Sequence, residues 1–116
     1  MLGFVIFAVL IASAMPADNY NPPLYHQWDP RWADILLGWG PRTIGQSGCA
    51  MTSVTMMTAG EGIKINGSIP TPATMNTWLM ENGGYWGGMY LVWKALNQLG
   101  FNFEGFIFDH IEIVQA

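Results

Sequence analysis

Residues 43–53 read TIGQSGCAMTS and hold Cys49, the single cysteine of a chain of 116 residues. The residues from this cysteine onward, CAMTSVTMMTA, contain neither glycine nor proline, and Gly60 comes directly after them. This pattern predicts a helix that begins at or next to Cys49 and is closed by Gly60 in a left-handed conformation. Its apolar residues recur at helical spacing and are Ala50, Met51, Val54 and Met57. Cys49 is therefore expected at the N-terminus of a helix, directly behind a glycine-rich loop.

This position of Cys49 permits two interpretations. The thiolate is the nucleophilic form of cysteine, and the partial positive charge of a helix N-terminus favours it. The free N–H groups of the first turn also stabilise an oxyanion, and the small neighbours Ser47, Gly48 and Ala50 leave room for a substrate. In the other interpretation, Cys49 is a small buried residue at a helix start. Residue spacing alone leaves a cysteine acyl-transfer site and a structural cysteine equally open.

The first 14 residues predict a secretory signal peptide. An apolar run over residues 2–11 is followed by Ala12, Ser13 and Ala14, a small-x-small cleavage pattern, although no Lys or Arg precedes the run. The run is shorter than the about 20 apolar residues that span a bilayer, and a buried N-terminal helix or strand is the alternative. We therefore expect a secreted mature domain over residues 15–116, with no stable membrane insertion after cleavage.

Composition narrows the classes of function. The net charge is −4 and Lys and Arg number four in total, without a run. The chain thus has no basic patch for nucleic acid and no basic amphipathic helix for a membrane surface. One cysteine forms no disulfide within a chain, although secreted domains of this size usually carry several. No His, Cys, Asp and Glu cluster has the spacing of metal ligands, so neither a metal nor another cofactor is expected. The unpaired Cys49 thiol can therefore be buried in the core, form a disulfide with another chain, or take part in catalysis.

Further elements are predicted along the chain: a helix over residues 71–82, a helix over 90–99 that Gly100 stops, and a strand over 101–108. The first of these has Thr71 as its N-cap, Pro72 in its first turn and Gly83 at its end. Residues 38–48 are predicted to be a loop because they are rich in glycine. Asp109 is expected to cap a last helical turn. This order of elements predicts an α+β fold.

Two sequence motifs, taken in the order in which they occur along the chain, resemble those of the C39-like group of papain-fold cysteine peptidases. The first, YHQWDPRWAD followed by TIGQSGCAMTSVTMM, is similar to a Gln-x-Asp-Pro-x-Trp segment and an Ile-Gly-x-x-Gly-Cys-x-x-Thr-Ser helix start. The second, TPATMNTWLMENGGY, is similar to the next helix of the family. The resemblance covers residues 24–85. It implies a papain-like fold whose helical half is present and whose C-terminal β-sheet half is truncated.

The resemblance assigns roles to individual residues. Cys49 matches the nucleophile, and Gln27 matches the glutamine that donates to the oxyanion. Gln46 is a rival for the second role because it lies three residues before Cys49. Family members with a small residue at that position favour Gln27, and local hydrogen bonding is expected for Gln46. The implied function is peptide-bond hydrolysis by a secreted enzyme, with a peptide or a peptidoglycan-type substrate.

The chain departs from the family in the catalytic histidine. Papain-like catalysis needs an imidazole base and an Asp or Asn that orients it, which the family carries on its C-terminal strands. His26 precedes Cys49, and His110 lies in FDHIEIVQA, which resembles the short helix before those strands. Neither matches, so we expect an incomplete chain of a longer enzyme. Its helices headed by Cys49 and Thr71 would then expose apolar sides and favour dimerisation.

Two alternatives to a peptidase stay open. A peptidoglycan amidase or endopeptidase would use the same thiol chemistry on a cell-wall substrate. A non-catalytic secreted binding or structural module would retain the helical half of the fold and link two chains through Cys49.

Four other side chains have competing interpretations. Trp78 and Trp93 fall on predicted helices and are expected in the core, because aromatic side chains dominate cores. Trp86 lies between glycines and is the tryptophan kept as a candidate for a binding groove. Asp29 precedes a proline and is expected in a turn, with a role as general acid as the alternative.

Overall fold

A computed structural model describes residues 10–11 and 20–103 of the chain. In chain order its elements are strand β1 (Leu10–Ile11), helices α1 (Ile44–Ser47), α2 (Cys49–Gly60) and α3 (Pro72–Glu81), strands β2 (Tyr85–Trp86) and β3 (Tyr90–Leu91), a 3₁₀ helix (Trp93–Leu99) and strand β4 (Asn102–Phe103). Strands β2 and β3 form an antiparallel hairpin, and β1 pairs with β4. The described residues thus form a small α+β unit, which confirms the predicted fold class at this level.

Helix α2 confirms the helix predicted behind the glycine-rich loop. It buries Met51 and Val54 in the core, which are 2% and 1% exposed. Its other buried side chains include three threonines: Thr52, Thr55 and Thr58. The hydroxyls of Thr55 and Thr58 each donate to the carbonyl four residues earlier at 2.8 Å. These two hydroxyls are therefore buried in the core with their hydrogen-bond donors satisfied.

The end of α2 differs from the prediction. Gly60 is the last helical residue, and the glycine in the left-handed region is Gly62, with φ 76°. A Cβ on Gly60 would lie 2.6 Å from Cε1 of Tyr20. The N–H of Asn21 also donates to the Gly60 carbonyl at 3.2 Å. Gly60 is therefore required by the close approach of another segment, not by a helix cap.

Helix α3 begins and ends where the sequence predicts. Thr71 is its N-cap and forms a capping box with Thr74, in which each side chain accepts from the other residue's N–H, at 3.3 and 2.9 Å. Pro72 occupies the first turn, and Gly83 follows the helix with φ 71°. Helix α3 has four fully buried residues, which are Pro72, Met75, Asn76 and Leu79. Helix α3 packs against α2.

The segment predicted as a helix over residues 90–99 is helical only from Trp93, and as a 3₁₀ helix. Its first two residues form β3, which pairs with β2. Gly87 and Gly88 permit this because their φ angles of 61° and 96° reverse the chain between the strands. The prediction was wrong here because the helical spacing of apolar residues continues across the strand. Gly100, at φ 98°, ends the 3₁₀ helix as predicted.

Strand β4 is the described beginning of the strand predicted over residues 101–108. It pairs antiparallel with β1. The remainder of that predicted strand, the Asp109 cap and His110 lie outside the described residues. The predicted signal peptide does too, apart from residues 10–11.

A buried asparagine of α3 ties the loop before α1 to the core. Asn76 is 2% exposed, and its Oδ1 accepts from the N–H of Gly38 at 2.9 Å and from the hydroxyl of Tyr85 at 2.7 Å. Its Nδ2 donates to the Leu36 carbonyl at 2.9 Å. Burial raises the pKa of Tyr85, which keeps this phenol protonated as a donor. The loop, the helix and the β2–β3 hairpin therefore share one polar anchor.

Large exposed apolar side chains in the described part of the chain lie on loops and on the hairpin, not on α2 or α3. They are Tyr20, Leu24, Trp28, Ile35, Leu36, Trp39, Ile69, Trp86 and Tyr90. The expectation that α2 and α3 would expose their apolar sides was wrong. These sides join one core together with Trp32, Leu37, Leu96 and Phe101.

Candidate active site

Cys49 lies at the junction of two helices. Gly48 ends α1, where its N–H donates to the Ile44 carbonyl at 2.7 Å, and it also begins α2, where its carbonyl accepts from the Thr52 N–H at 2.9 Å. Cys49 is the first residue of α2, and its side chain is exposed. Within the described residues its thiol makes no hydrogen bond and no ion pair. The predicted helix-start position is confirmed, and the interpretation of Cys49 as a buried structural residue was wrong.

The first turn of α2 has no side-chain cap. Its N-cap residue, Gly48, has φ −90° and ψ 20° and offers no side-chain oxygen to the N–H groups of that turn. Helix α1 excludes a larger residue here, because a Cβ on Gly48 would lie 2.6 Å from the Ile44 carbonyl oxygen. Uncapped N–H groups beside a thiol are what the stabilisation of a developing anion requires.

Helix α1 lies inside residues 38–48, where the sequence predicts a loop. Thr43 and Gln46 form a capping box, in which the Gln46 N–H donates to Thr43 Oγ1 at 3.3 Å and the Thr43 N–H donates to Gln46 Oε1 at 3.0 Å. The sequence contains the capping-box pattern Thr-x-x-Gln, but the many glycines around it led to the prediction of a loop. Local hydrogen bonding of Gln46 is confirmed. The capping box holds its amide at the start of α1, the end farther from Cys49.

Gln27 is held against α1. Its Nε2 donates to the Gly45 carbonyl at 3.1 Å, and the Gly45 N–H donates in turn to the Ala33 carbonyl at 2.9 Å. An amide nitrogen carries two N–H groups, so a second donor of Gln27 has no partner among residues 20–103. Gln27 is thus brought to the helix that leads into Cys49, although no hydrogen bond joins the two side chains.

A β-turn presents Gln27 to α1. The N–H of Asp29 donates to the His26 carbonyl at 3.1 Å, so Gln27 and Trp28 are the two central residues of this turn. The indole Nε1 of Trp32 donates to the same carbonyl at 2.7 Å and holds the turn to the core. The side chain of Trp28 stays 71% exposed.

Asp29 is paired with Arg31, which disfavours a role as general acid. Arg31 donates to its carboxylate from Nε at 3.0 Å and from Nη2 at 2.7 Å, and these hydrogen bonds lower the pKa of Asp29 to about 2. At neutral pH the carboxylate is ionised and has no proton to give. The predicted turn is confirmed, since the Asp29 carbonyl accepts from the N–H of Trp32 at 3.0 Å and of Ala33 at 2.8 Å.

His26 is the one histidine in the described part of the chain. Its side chain is exposed, and its carbonyl closes the turn that carries Gln27. No hydrogen bond or ion pair joins it to Cys49. His110 falls outside the described residues, so the expectation that neither histidine is the base for Cys49 stays a prediction.

Thr52 has a buried hydroxyl near the cysteine that the sequence did not single out. It lies three residues after Cys49, on the same side of α2, and is 3% exposed. Its Oγ1 has no hydrogen-bond partner in the described part of the chain, a state shared by Oε1 of Glu61 at the far end of α2. An unpaired buried hydroxyl costs about 1–3 kcal/mol, and such departures concentrate at functional sites. The position of this threonine, one helical turn after Cys49, was the sequence signal that could have identified it.

The aromatic residues divide as the sequence predicts. Trp78 and Trp93 are partly buried and pack against the core. Trp86 is 72% exposed, and its ring centroid lies 6.2 Å from that of Tyr90 on the paired strand. Exposure is consistent with a binding role for Trp86 but assigns it no ligand.

Residues 10–11 and 20–103 contain no group of His, Cys, Asp and Glu side chains arranged to hold a metal ion. None of their helices combines the length and the apolar character needed to cross a membrane. Compared with protein-family models, with curated proteins and with solved structures, the chain finds no match.

Proposed function

We propose that the protein is a secreted cysteine peptidase of the C39-like, papain-fold type, with Cys49 as its nucleophile. The observation that supports this most is the exposed thiol at the first residue of α2. The uncapped first turn adjoins it because the N-cap is a glycine. The family and the finer fold rest on the two sequence motifs, with helices α2 and α3 as the helical half of the papain-like fold.

The proposed reaction begins with attack of the Cys49 thiolate on a peptide carbonyl carbon. A sulfur–carbon bond forms, the carbonyl oxygen becomes an oxyanion, and the peptide C–N bond then breaks to leave a thioester. The free amine departs with a proton, and water hydrolyses the thioester. The N–H groups of the first turn of α2 and the second N–H of Gln27 Nε2 supply hydrogen bonds to the oxyanion.

The departing amine needs a proton donor, and the attacking water needs a base. A positioned imidazole serves both purposes in this chemistry, and such assistance is worth roughly 10²–10⁴-fold in rate. In the family that the sequence resembles, this histidine lies on a C-terminal β-sheet. The proposal therefore requires a functional protein that includes such a half, and reading the coding sequence beyond Ala116 tests that requirement.

An exposed thiol without a partner also supports a second candidate from a different class. In that alternative the protein is a secreted binding or structural module, and Cys49 links two chains through a disulfide. A peptidoglycan amidase or endopeptidase remains a variant of the first proposal, because it differs in substrate and not in the chemistry of Cys49.

We expect the complete gene product to hydrolyse unstructured peptides or peptidoglycan fragments, and Cys49→Ala to lower that rate roughly 10³-fold or more. Gln27→Ala should lower it roughly 10²-fold, because one oxyanion donor is lost. Gln46→Ala is the matched control, since its amide is held in the capping box, and it should leave the rate within a factor of about three. The measurement is product release with both substrate classes.

Hydrolysis that survives Cys49→Ala would contradict the proposal. So would a complete absence of hydrolysis in a protein that migrates as a reductant-sensitive dimer on a non-reducing gel. The second outcome would favour the non-catalytic module.

A further inference from the structure

The β2–β3 hairpin turns two aromatic side chains away from the core. Trp86 and Tyr90 lie directly opposite each other in its register. Successive side chains of a strand point to opposite faces, and Tyr85 is on the inner face, where its hydroxyl donates to Asn76 at 2.7 Å. Trp86 and Tyr90 therefore share the outer face, and they are 72% and 59% exposed.

The two rings form one surface on a fixed turn. Their centroids are 6.2 Å apart and their planes meet at 44°, which is within the range of contacting aromatic pairs. Gly87 leaves room for the ring of Tyr90, because a Cβ at this position would lie 3.2 Å from the Tyr90 Cδ2 atom. The turn is held from outside the hairpin by the N–H of Trp39, which donates to the Gly88 carbonyl at 2.8 Å. The backbone that carries the rings is thus positioned without a ligand.

This surface is apolar on the faces of its rings and polar at their edges. Among the residues that the structure describes, the indole N–H of Trp86 and the hydroxyl of Tyr90 have no hydrogen-bond partner. Residues 82–93 contain no Asp, Glu, Lys, Arg or His, so the hairpin offers no charge to an ionic ligand. A matching ligand is uncharged, lies with an apolar face on the rings, and carries hydrogen-bonding groups around its edge.

We propose that Trp86 and Tyr90 form a binding site for an uncharged oligosaccharide. A pyranose ring has C–H groups on its faces and hydroxyls around its rim, which suits aromatic faces with free N–H and O–H groups at their edges. An apolar side chain would cover the same faces but would make no use of the two edge groups. The site goes beyond the proposed function and does not depend on it, because neither Cys49 nor Gln27 takes part.

NMR titration of the 116-residue chain tests the proposal without any turnover. The probes are the β-linked tetramers of N-acetylglucosamine and of glucose, which show whether the acetamido group contributes. The reporters are the indole N–H of Trp86 and the backbone N–H groups of Gly87 and Gly88. We expect these resonances to shift saturably with at least one tetramer, with a dissociation constant on the order of 1 mM. The indole N–H of Trp28, which is 71% exposed on a different turn, should not shift.

Variants of the two rings give the second part of the test, with the glycine amides of the turn as reporters. Trp86→Ala and Tyr90→Ala should each raise the dissociation constant about three- to tenfold, because one stacking face is lost. Trp86→Phe keeps a ring without the N–H and should give a smaller loss. Trp28→Ala is the matched control and should leave the dissociation constant unchanged. Circular dichroism confirms that each variant is folded.

The absence of a saturable shift with both tetramers up to about 10 mM would overturn the proposal. So would a dissociation constant for Trp86→Ala and Tyr90→Ala within a factor of two of the unmodified chain. Equal or tighter binding of N-acetylphenylalanine amide would assign the surface to an apolar peptide instead. Shifts of the same resonances with protein concentration alone would assign it to a second copy of the chain. Each of these results leaves the alkylation and hydrolysis tests of Cys49 unaffected, so the two proposals fail separately.

Discussion

Replacing Asn76 by leucine is expected to lower the free energy of unfolding by about 3 kcal/mol. Leucine has nearly the same shape, so the loss comes from hydrogen bonds and not from a cavity. The Gly38 N–H, the Tyr85 hydroxyl and the Leu36 carbonyl would all lose their partner on a residue that is 2% exposed. Each buried group left without a partner costs about 1–3 kcal/mol, and partial access of water to the Leu36 carbonyl lowers the sum. Urea unfolding measures the change.

Two further variants calibrate this prediction. Tyr85→Phe removes one of the three hydrogen bonds and should cost about 1 kcal/mol. Asn21→Ala changes an exposed asparagine whose part in the fold is its backbone N–H, so it should cost less than about 0.5 kcal/mol. A loss of under 1 kcal/mol for Asn76→Leu would mean that the loop before α1 is not anchored as described.

Gly48→Ala is expected to cost about 1–3 kcal/mol and to displace the start of α2. The φ and ψ values of Gly48, −90° and 20°, are open to alanine, so the penalty is purely steric. A Cβ here would lie 2.6 Å from the Ile44 carbonyl oxygen and 2.8 Å from the Ile44 Cγ2 atom. Relief requires α1 and α2 to move apart at their junction, and Cys49 is the first residue past that junction.

Thermal or urea unfolding checks the energetic part of this prediction, and the alkylation rate of Cys49 checks the displacement. Ser47→Ala is the neighbouring control, because Ser47 is in α1 and already has a Cβ. It should change the free energy of unfolding by less than about 0.5 kcal/mol. If Gly48→Ala matched that control in both measurements, Gly48 would not be required for the geometry of the site.

Local signals were sufficient to predict helices α2 and α3. The ends of α3 are marked by residues next to them in the sequence, Thr71 and Pro72 at its start and Gly83 after its end. Helix α2 is marked by the absence of glycine and proline directly after Cys49. These features act through short-range backbone geometry, so they can be predicted from the sequence alone. The N-terminal position of Cys49 followed from them.

Three other features were not predicted, one because it depends on contact between distant segments and two because competing local signals were misjudged. Gly60 is a glycine because Tyr20 passes within contact distance of it, forty residues earlier in the chain. The β2–β3 hairpin interrupts a helical pattern because Gly87 and Gly88 turn the chain back. Helix α1 is short, and its capping box is surrounded by glycines that favour a loop.

The candidate site shows the same division. Spacing left open whether Cys49 is buried, because burial depends on which segments cover the start of α2. The positions of the two glutamines also had to be seen in the structure: Gln27 donates to the Gly45 carbonyl, and Gln46 accepts from the N–H of Thr43, the N-cap of its own helix. The hydroxyl of Thr52 was missed because its lack of a partner is a property of the packed structure.

The central claim is that Cys49 is an activated nucleophile, and its rate of alkylation by iodoacetamide at pH 6 tests this most directly. The chain has no other cysteine, so incorporation of the label reports on this thiol alone. Because a cysteine nucleophile must be more reactive than an ordinary thiol, we expect a rate at least about tenfold above that of glutathione under the same conditions. A rate equal to or below that of glutathione, in protein that is folded and reduced, would contradict it.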